Sequence, residues 1–148
     1  MNSTIIKNHN NRVKPEDTVF FLGDFCFKNS PGGKEGEGEI HNAEYYLKQL
    51  NGRFVFIKGN HDGNNSLKTC IEYTLIHHGG KNIFLTHNPA DYNWEYLWNF
   101  CGHVHEKWKF KEVKKSVIVN VGVDVWGYKP ISYQEIMKEY HKWKKNRN

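Results

Sequence analysis

The residues best suited to chemistry in this sequence stand in four short groups: Gly23-Asp24, Gly59-Asn60-His61-Asp62, Thr86-His87-Asn88-Pro89 and Gly102-His103-Val104-His105. Histidine is the commonest metal ligand and carries protons near neutral pH. The chain has nine histidines in 148 residues, so their spacing decides what they can do. In extended backbone, residues two apart point to the same side, so His103 and His105 can face one cavity. Gly102 would let the backbone approach closely. The competing reading is a pair of exposed loop histidines. Asn60, His61 and Asp62 supply in succession a neutral oxygen ligand, a titratable base or acid, and a carboxylate able to orient it. The same residues also suit a polar turn. Taken singly, His87 reads as structural and Gly23-Asp24 as a turn.

Each group sits at or just beyond the end of an apolar run. Thr18 to Leu22 and Arg53 to Ile57 read as buried strands, each followed by a glycine-led turn. Further strands are expected over 72–76, 82–86, 96–100, 109–113 and 117–121. The stretch 29–39, with Pro31 and four glycines, reads as a loop. Ile40, Ala43, Tyr46, Leu47 and Leu50 recur at helical spacing, so 39–50 is expected to be an amphipathic helix closed by Asn51-Gly52. Ser132 and Glu135 form a capping-box signature just after Pro130. They open a final helix whose apolar face is Tyr133, Ile136, Met137, Tyr140 and Trp143. Early strands alternate with helical segments and later strands follow in close succession, the pattern of a layered α/β domain. With no repeat and no linker, residues 1–148 form a single domain. Open α/β sheets bind ligands outside the carboxyl ends of their strands, where the four groups fall.

In this order the groups resemble the signature of the calcineurin-like metallophosphoesterases: DxH, GD, GNHD, a strand-terminal histidine and GHxH. Four of the five elements are present, and the resemblance runs from about Val13 to Ile136. It implies a layered β-sandwich flanked by helices and a metal-activated water that hydrolyses phosphomonoesters or phosphodiesters. It also implies roles for individual residues. Asp24 is similar to the carboxylate that bridges two metals; Asn60, His87 and His103 to the other ligands of the second metal; His105 to a ligand of the first. His61 resembles the catalytic histidine that contacts the phosphoryl group, with Asp62 as its partner. Two ions roughly 3.5–4 Å apart would neutralise phosphoryl charge and supply a nucleophile at neutral pH. The mixed nitrogen and oxygen ligands suit Mn, Fe, Zn, Ni or Co rather than an all-oxygen magnesium site.

The fifth element does not appear: the sequence contains no Asp-x-His. In the family it lies on a first strand upstream of the equivalent of Asp24, and 4–13 resembles the helix that follows that strand. His9 on that helix is expected to be solvated rather than to replace a ligand. The expectation is therefore a domain lacking its first strand, with four ligands for the second metal and only Asp24 and His105 for the first. The sheet edge so exposed would be open to a second copy, giving a homo-oligomer.

Three functional readings stay open. The first is a phosphoester hydrolase, which the His61-Asp62 pair favours. The second is a degenerate one-metal relative with little turnover, which the absent Asp-x-His favours. The third is a nucleic-acid-binding module resting on Lys138, Lys142, Lys144, Lys145 and Arg147 interleaved with Tyr140 and Trp143. A solvated helix face explains those charges more simply. The net charge of +5 and a pI near 9.0 favour anionic partners in general. Cys26, Cys70 and Cys101 form no CxxC and suggest a reducing compartment, and no apolar run has the length of a membrane span, so a cytoplasmic location is expected. Gly32-Gly33-Lys34-Glu35 lacks the Ser or Thr of a phosphate loop, and Cys101 lacks partner cysteines for structural zinc. Trp94, Trp98, Trp126 and Tyr128 are candidates for a pocket lining or for the core.

Overall fold

A computed structural model describes residues 3–23, 47–59, 70–104 and 106–147. Helix α1 (Ser3–Arg12) leads into β1 (Thr18–Leu22), whose alternating exposure fits a strand with one face turned to the core. It pairs in parallel with β2 (Arg53–Ile57), Thr18 opposite Arg53 and Leu22 opposite Ile57, so the two strands end together. The five remaining strands, β3 (Tyr73–His78), β4 (Lys81–Thr86), β5 (Trp98–Cys101), β6 (Phe110–Val113) and β7 (Ser116–Asn120), form a second sheet in the order β3-β4-β5-β7-β6. Its centre, β4-β5-β7, is parallel, and the flanking pairs β3-β4 and β6-β7 are antiparallel. The parallel strands β5 and β7 are buried at every position, as strands covered on both faces must be.

The chain closes on α2 (Tyr133–Arg147), which packs its aromatic face on the second sheet. Tyr140 meets Trp98 edge-on at 4.9 Å, and Trp143 lies 5.5 Å from Phe110. The capping box read from Ser132 and Glu135 is present. The Glu135 amide donates to Ser132 Oγ at 3.3 Å, and the Ser132 amide donates back to Glu135 Oε1 at 3.2 Å. One core joins the sheets: Leu22 and Ile57 from the first pack with Ile83, Leu85, Phe100 and Val119 from the second.

The expected strands stand within two residues of their predicted limits, and β1 and β2 match throughout. The expected loop at 29–39 lies outside the described residues, as does most of the expected helix at 39–50. Within 47–50 the chain turns, and the Leu50 amide donates to the Leu47 carbonyl. His9 corrects one expectation. It is buried rather than solvated, bonded through Nε2 to the Asn51 carbonyl at 2.7 Å and stacked on Phe54. That contact ties α1 to the turn before β2 and makes His9 a packing residue. Trp98 and Trp126 are core residues, whereas Trp94 and Tyr128 are exposed.

Candidate metal centre

Four strand ends meet at one point. Leu22, the last residue of β1, gives its carbonyl to His87 Nδ1 at 2.8 Å, although the two lie 65 residues apart. Gly102, just past β5, donates its amide to the His87 carbonyl at 2.9 Å. A Cβ placed on Gly23 would lie 2.4 Å from His87 Nδ1 and 2.7 Å from the Cα of Gly59, which follows β2. Gly23 also has φ +91, so a side chain there would meet both strain and collision. Gly102 is needed for proximity alone, since a Cβ on it would come 3.1 Å from the Leu22 carbonyl. Gly23 and Gly102 thus let the ends of β1, β2, β4 and β5 approach one another closely.

Two expected ligands are described here, and they face each other. His87 is buried, and its Nε2 lies 3.1 Å from Nδ1 of His103. A carbonyl can only accept, so the Leu22 contact puts a proton on His87 Nδ1 and leaves Nε2 as the nitrogen that faces His103. Fixing a ring by such an outer bond is the usual support for a metal-ligating histidine. His103 has φ 68, a left-handed conformation that non-glycine residues adopt rarely and that clusters at functional sites. The pair fits a cation: two nitrogens each about 2.0–2.1 Å from a tetrahedral ion would be roughly 3.3 Å apart. Among the described residues, no group of three or more His, Cys, Asp or Glu side chains converges on a metal position. Cys101, next to Gly102, is buried, and burial pushes its thiol up to about 12, which favours the protonated form.

Asp24, Asn60, His61, Asp62 and His105 lie outside the described residues. What is described is the residue before two of these positions, Gly23 ahead of Asp24 and Gly59 ahead of Asn60, and both are at the junction.

No protein-family profile matches the chain. The uncharacterized protein MJ1445 of Methanocaldococcus jannaschii is 37% identical over 150 residues, covering 97% of this chain and 77% of that protein. This chain belongs to the same family as MJ1445. A solved structure of a protein of unknown function from Aquifex aeolicus, AQ665, is similar with a TM-score of 0.64 and 27% identity, over 91% of this chain and 82% of that one. Vps29 from Entamoeba histolytica, solved in complex with zinc, is similar with a TM-score of 0.52 and 19% identity, over 82% of this chain and 64% of that one. At that identity the likeness speaks for the fold, and Vps29 has the calcineurin-like metallophosphoesterase fold. The MJ1445-like chain is accordingly a mixed α/β protein of metallophosphoesterase-like architecture, with sheets flanked by helices. None of its described helices is long and apolar enough to cross a membrane.

Two features around this site carry no clear signal in the sequence. The Leu22 carbonyl that orients His87 carries no signal, because every residue has a carbonyl. Asn99 was read as part of a strand, yet it is fully buried. Its Oδ1 accepts from the Asn93 amide at 2.7 Å, and its Nδ2 donates to the carbonyls of Asn93 and Tyr96 at 3.2 and 3.1 Å. It holds the segment between His87 and β5 against the sheet. An asparagine inside the apolar run Tyr96 to Phe100 was the available clue.

Proposed function

We propose that this protein is a metal-dependent phosphoester hydrolase whose centre is held by Asp24, Asn60, His87 and His103, with His105 toward a further metal position. The observation that carries the reading is the His87–His103 pair, oriented by the Leu22 carbonyl at the meeting point of four strand ends. The order of the four sequence groups supports it, and so does the fold. When bound, a divalent transition metal would neutralise phosphoryl charge and make a water nucleophilic at neutral pH. The chain's own residues do the rest. Leu22 keeps the His87 proton on Nδ1, which leaves Nε2 for coordination. His61 donates a proton to the departing ester oxygen, and Asp62 keeps its ring in line. The buried strand ends exclude bulk water from one side of the centre.

The test uses manganese-supplemented protein with p-nitrophenyl phosphate and bis(p-nitrophenyl) phosphate. His61→Ala should lower turnover by about 10²–10⁴-fold, the usual contribution of a positioned acid or base, while metal content holds. His87→Ala should lose metal and turnover together. Metal binding without hydrolysis of either ester would instead support the one-metal, non-hydrolytic reading that the absent Asp-x-His favours.

A further inference from the structure

The five-stranded sheet ends in β3 on one side and β6 on the other, and the two edges are finished differently. β6 is four residues long and carries Lys111 and Glu112, and Lys144 of α2 donates to Glu112 Oε1 at 2.6 Å. Short length, charge and contact from a helix are the usual means of keeping an edge from pairing with another chain. β3 has none of them. Tyr73-Thr74-Leu75-Ile76-His77-His78 contains no Lys, Arg, Asp, Glu or Pro. Its ladder with β4 runs unbroken from the Tyr73–Thr86 pair to the His78–Lys81 pair, without a bulge. Among the described residues the β3 backbone bonds to β4 alone, so its outward row of N–H and C=O groups is open. Two apolar side chains stand on one face of that edge. Tyr73 is 63% exposed, with its ring 5.4 Å from that of buried Phe84, and Leu75 is 45% exposed.

We propose that β3 is the docking edge for a second copy of this chain, the two β3 strands pairing antiparallel into one continuous sheet. This is a different edge from the one expected of a missing first strand. The ends of β3 favour a copy of itself as the occupant. Glu72 precedes the strand, whereas His78 closes it beside Lys81 of β4, so one end is acidic and the other basic. Antiparallel pairing lays the acidic end of each copy against the basic end of the other, and a two-fold axis makes that contact twice. Opposed residues in an antiparallel pair point to the same face, so odd-numbered residues meet odd and even meet even. Centred on Leu75, the register sets Leu75 against its own counterpart and Tyr73 against the partner's His77. It also sets Glu72 against the partner's His78. The middle of the interface is then apolar, and no like charges meet.

Sedimentation and amide hydrogen exchange of the full chain, each over a range of concentrations, test this. Dimers should form reversibly, and protection of the outward β3 amides should rise with concentration while that of β6 stays constant. Leu75→Lys sets two ammonium groups face to face and should weaken the dimer by about a hundredfold or more, the usual penalty for like charges across an interface. Tyr73→Lys, at the second exposed position, should weaken it too. Neither side chain belongs to the core, so both variants should melt like the parent when monomeric. Lys111→Glu, a charge change at the opposite edge, should leave the dimer unchanged. A chain that stays monomeric at every concentration overturns the proposal, and so does a dimer that tolerates both lysine variants. Protection of β3 that appears only when another protein is added overturns it as well, in favour of a foreign strand.

Discussion

The two sides of the five-stranded sheet's environment treat their rings and polar groups in opposite ways. Under α2, rings meet rings: Phe110 contacts Trp126, Tyr140 and Trp143, and Lys109 lies over the Trp126 face at 4.3 Å. The polar atoms there are used internally. The Trp126 indole donates to the Asn120 carbonyl at 2.7 Å, and the Asn120 side chain donates to the Trp108 carbonyl and accepts from the Gly122 amide. At the strand-end junction the pattern reverses. Two imidazoles face each other through nitrogens, and Gly23 and His103 both have positive φ. Burying polar groups on strained backbone costs stability and gains few apolar contacts, so it persists where the arrangement serves something else. The difference suggests a division of labour: the α2 side holds the fold, and under the proposed function the junction holds the chemistry.

Substitutions on the two sides should separate metal from stability. His87→Ala should weaken metal binding by more than the roughly 10–100-fold that follows loss of an outer-shell partner, because under the proposed function it removes a ligand itself. Phe110→Ala should cost about 3–5 kcal/mol of stability, as large-to-small changes in aromatic cores do, and leave metal per folded molecule unchanged. Elemental analysis and denaturant melts of both variants make the comparison. If Phe110→Ala depletes metal from folded protein as strongly as His87→Ala does, the division is false.

A pair of glycines sharpens it. Gly23 and Gly127 both have positive φ, +91 and +68, so alanine at either carries a left-handed penalty of about 1–2 kcal/mol. At Gly127 the new methyl would sit 3.7 Å from Lys129, an ordinary contact, whereas at Gly23 it would strike His87 at 2.4 Å. Gly23→Ala should therefore be the more destabilising of the two by chemical melt, and it alone should lower metal content. Equal melts would mean that the junction yields easily and that close approach of the strand ends is not required.

Much of the junction was legible because it depends on order and period. Apolar runs of five residues followed by a glycine-led turn placed β1 and β2, and His87 falls just past the end of β4 as expected, while Asp24 and Asn60 lie outside the described residues. His103 was singled out by its two-residue spacing to His105, which lies outside the described residues. What escaped was whatever depends on long-range partners. His9 looked like a solvated helix histidine, because nothing local reveals that Phe54 and the Asn51 carbonyl cover it. Tyr73 and Phe84 were divided between two predicted strands, and only the antiparallel register of β3 with β4 sets the rings side by side.

The smallest expected effect lies at the start of α2, where the capping box joins the two halves of the comparison. Glu135 accepts from Ser132 and is ion-paired with Arg12, which also donates to the Pro130 carbonyl, so α1 is latched to α2 there. Burial pushes the Glu135 carboxyl up, but the bonds from Arg12 and Ser132 and the Arg12 charge together outweigh it and hold the carboxyl below its ordinary value of 4.5. A depressed carboxylate contributes stability above its unfolded value, and that contribution fades as pH falls through the folded one. The group is more than a third exposed, so solvent screening keeps the ion pair's share small. The Ser132 cap should dominate, with Ser132→Ala costing about 1 kcal/mol. Glu135→Gln should be less stable than the parent at pH 7, and the gap should close as pH drops below the 4.5 of an unperturbed carboxyl. Thermal melts at pH 7 and pH 3 check this. A gap that widens in acid would mean that Glu135 stabilises the helix start as a neutral hydrogen-bond donor and not as an anion.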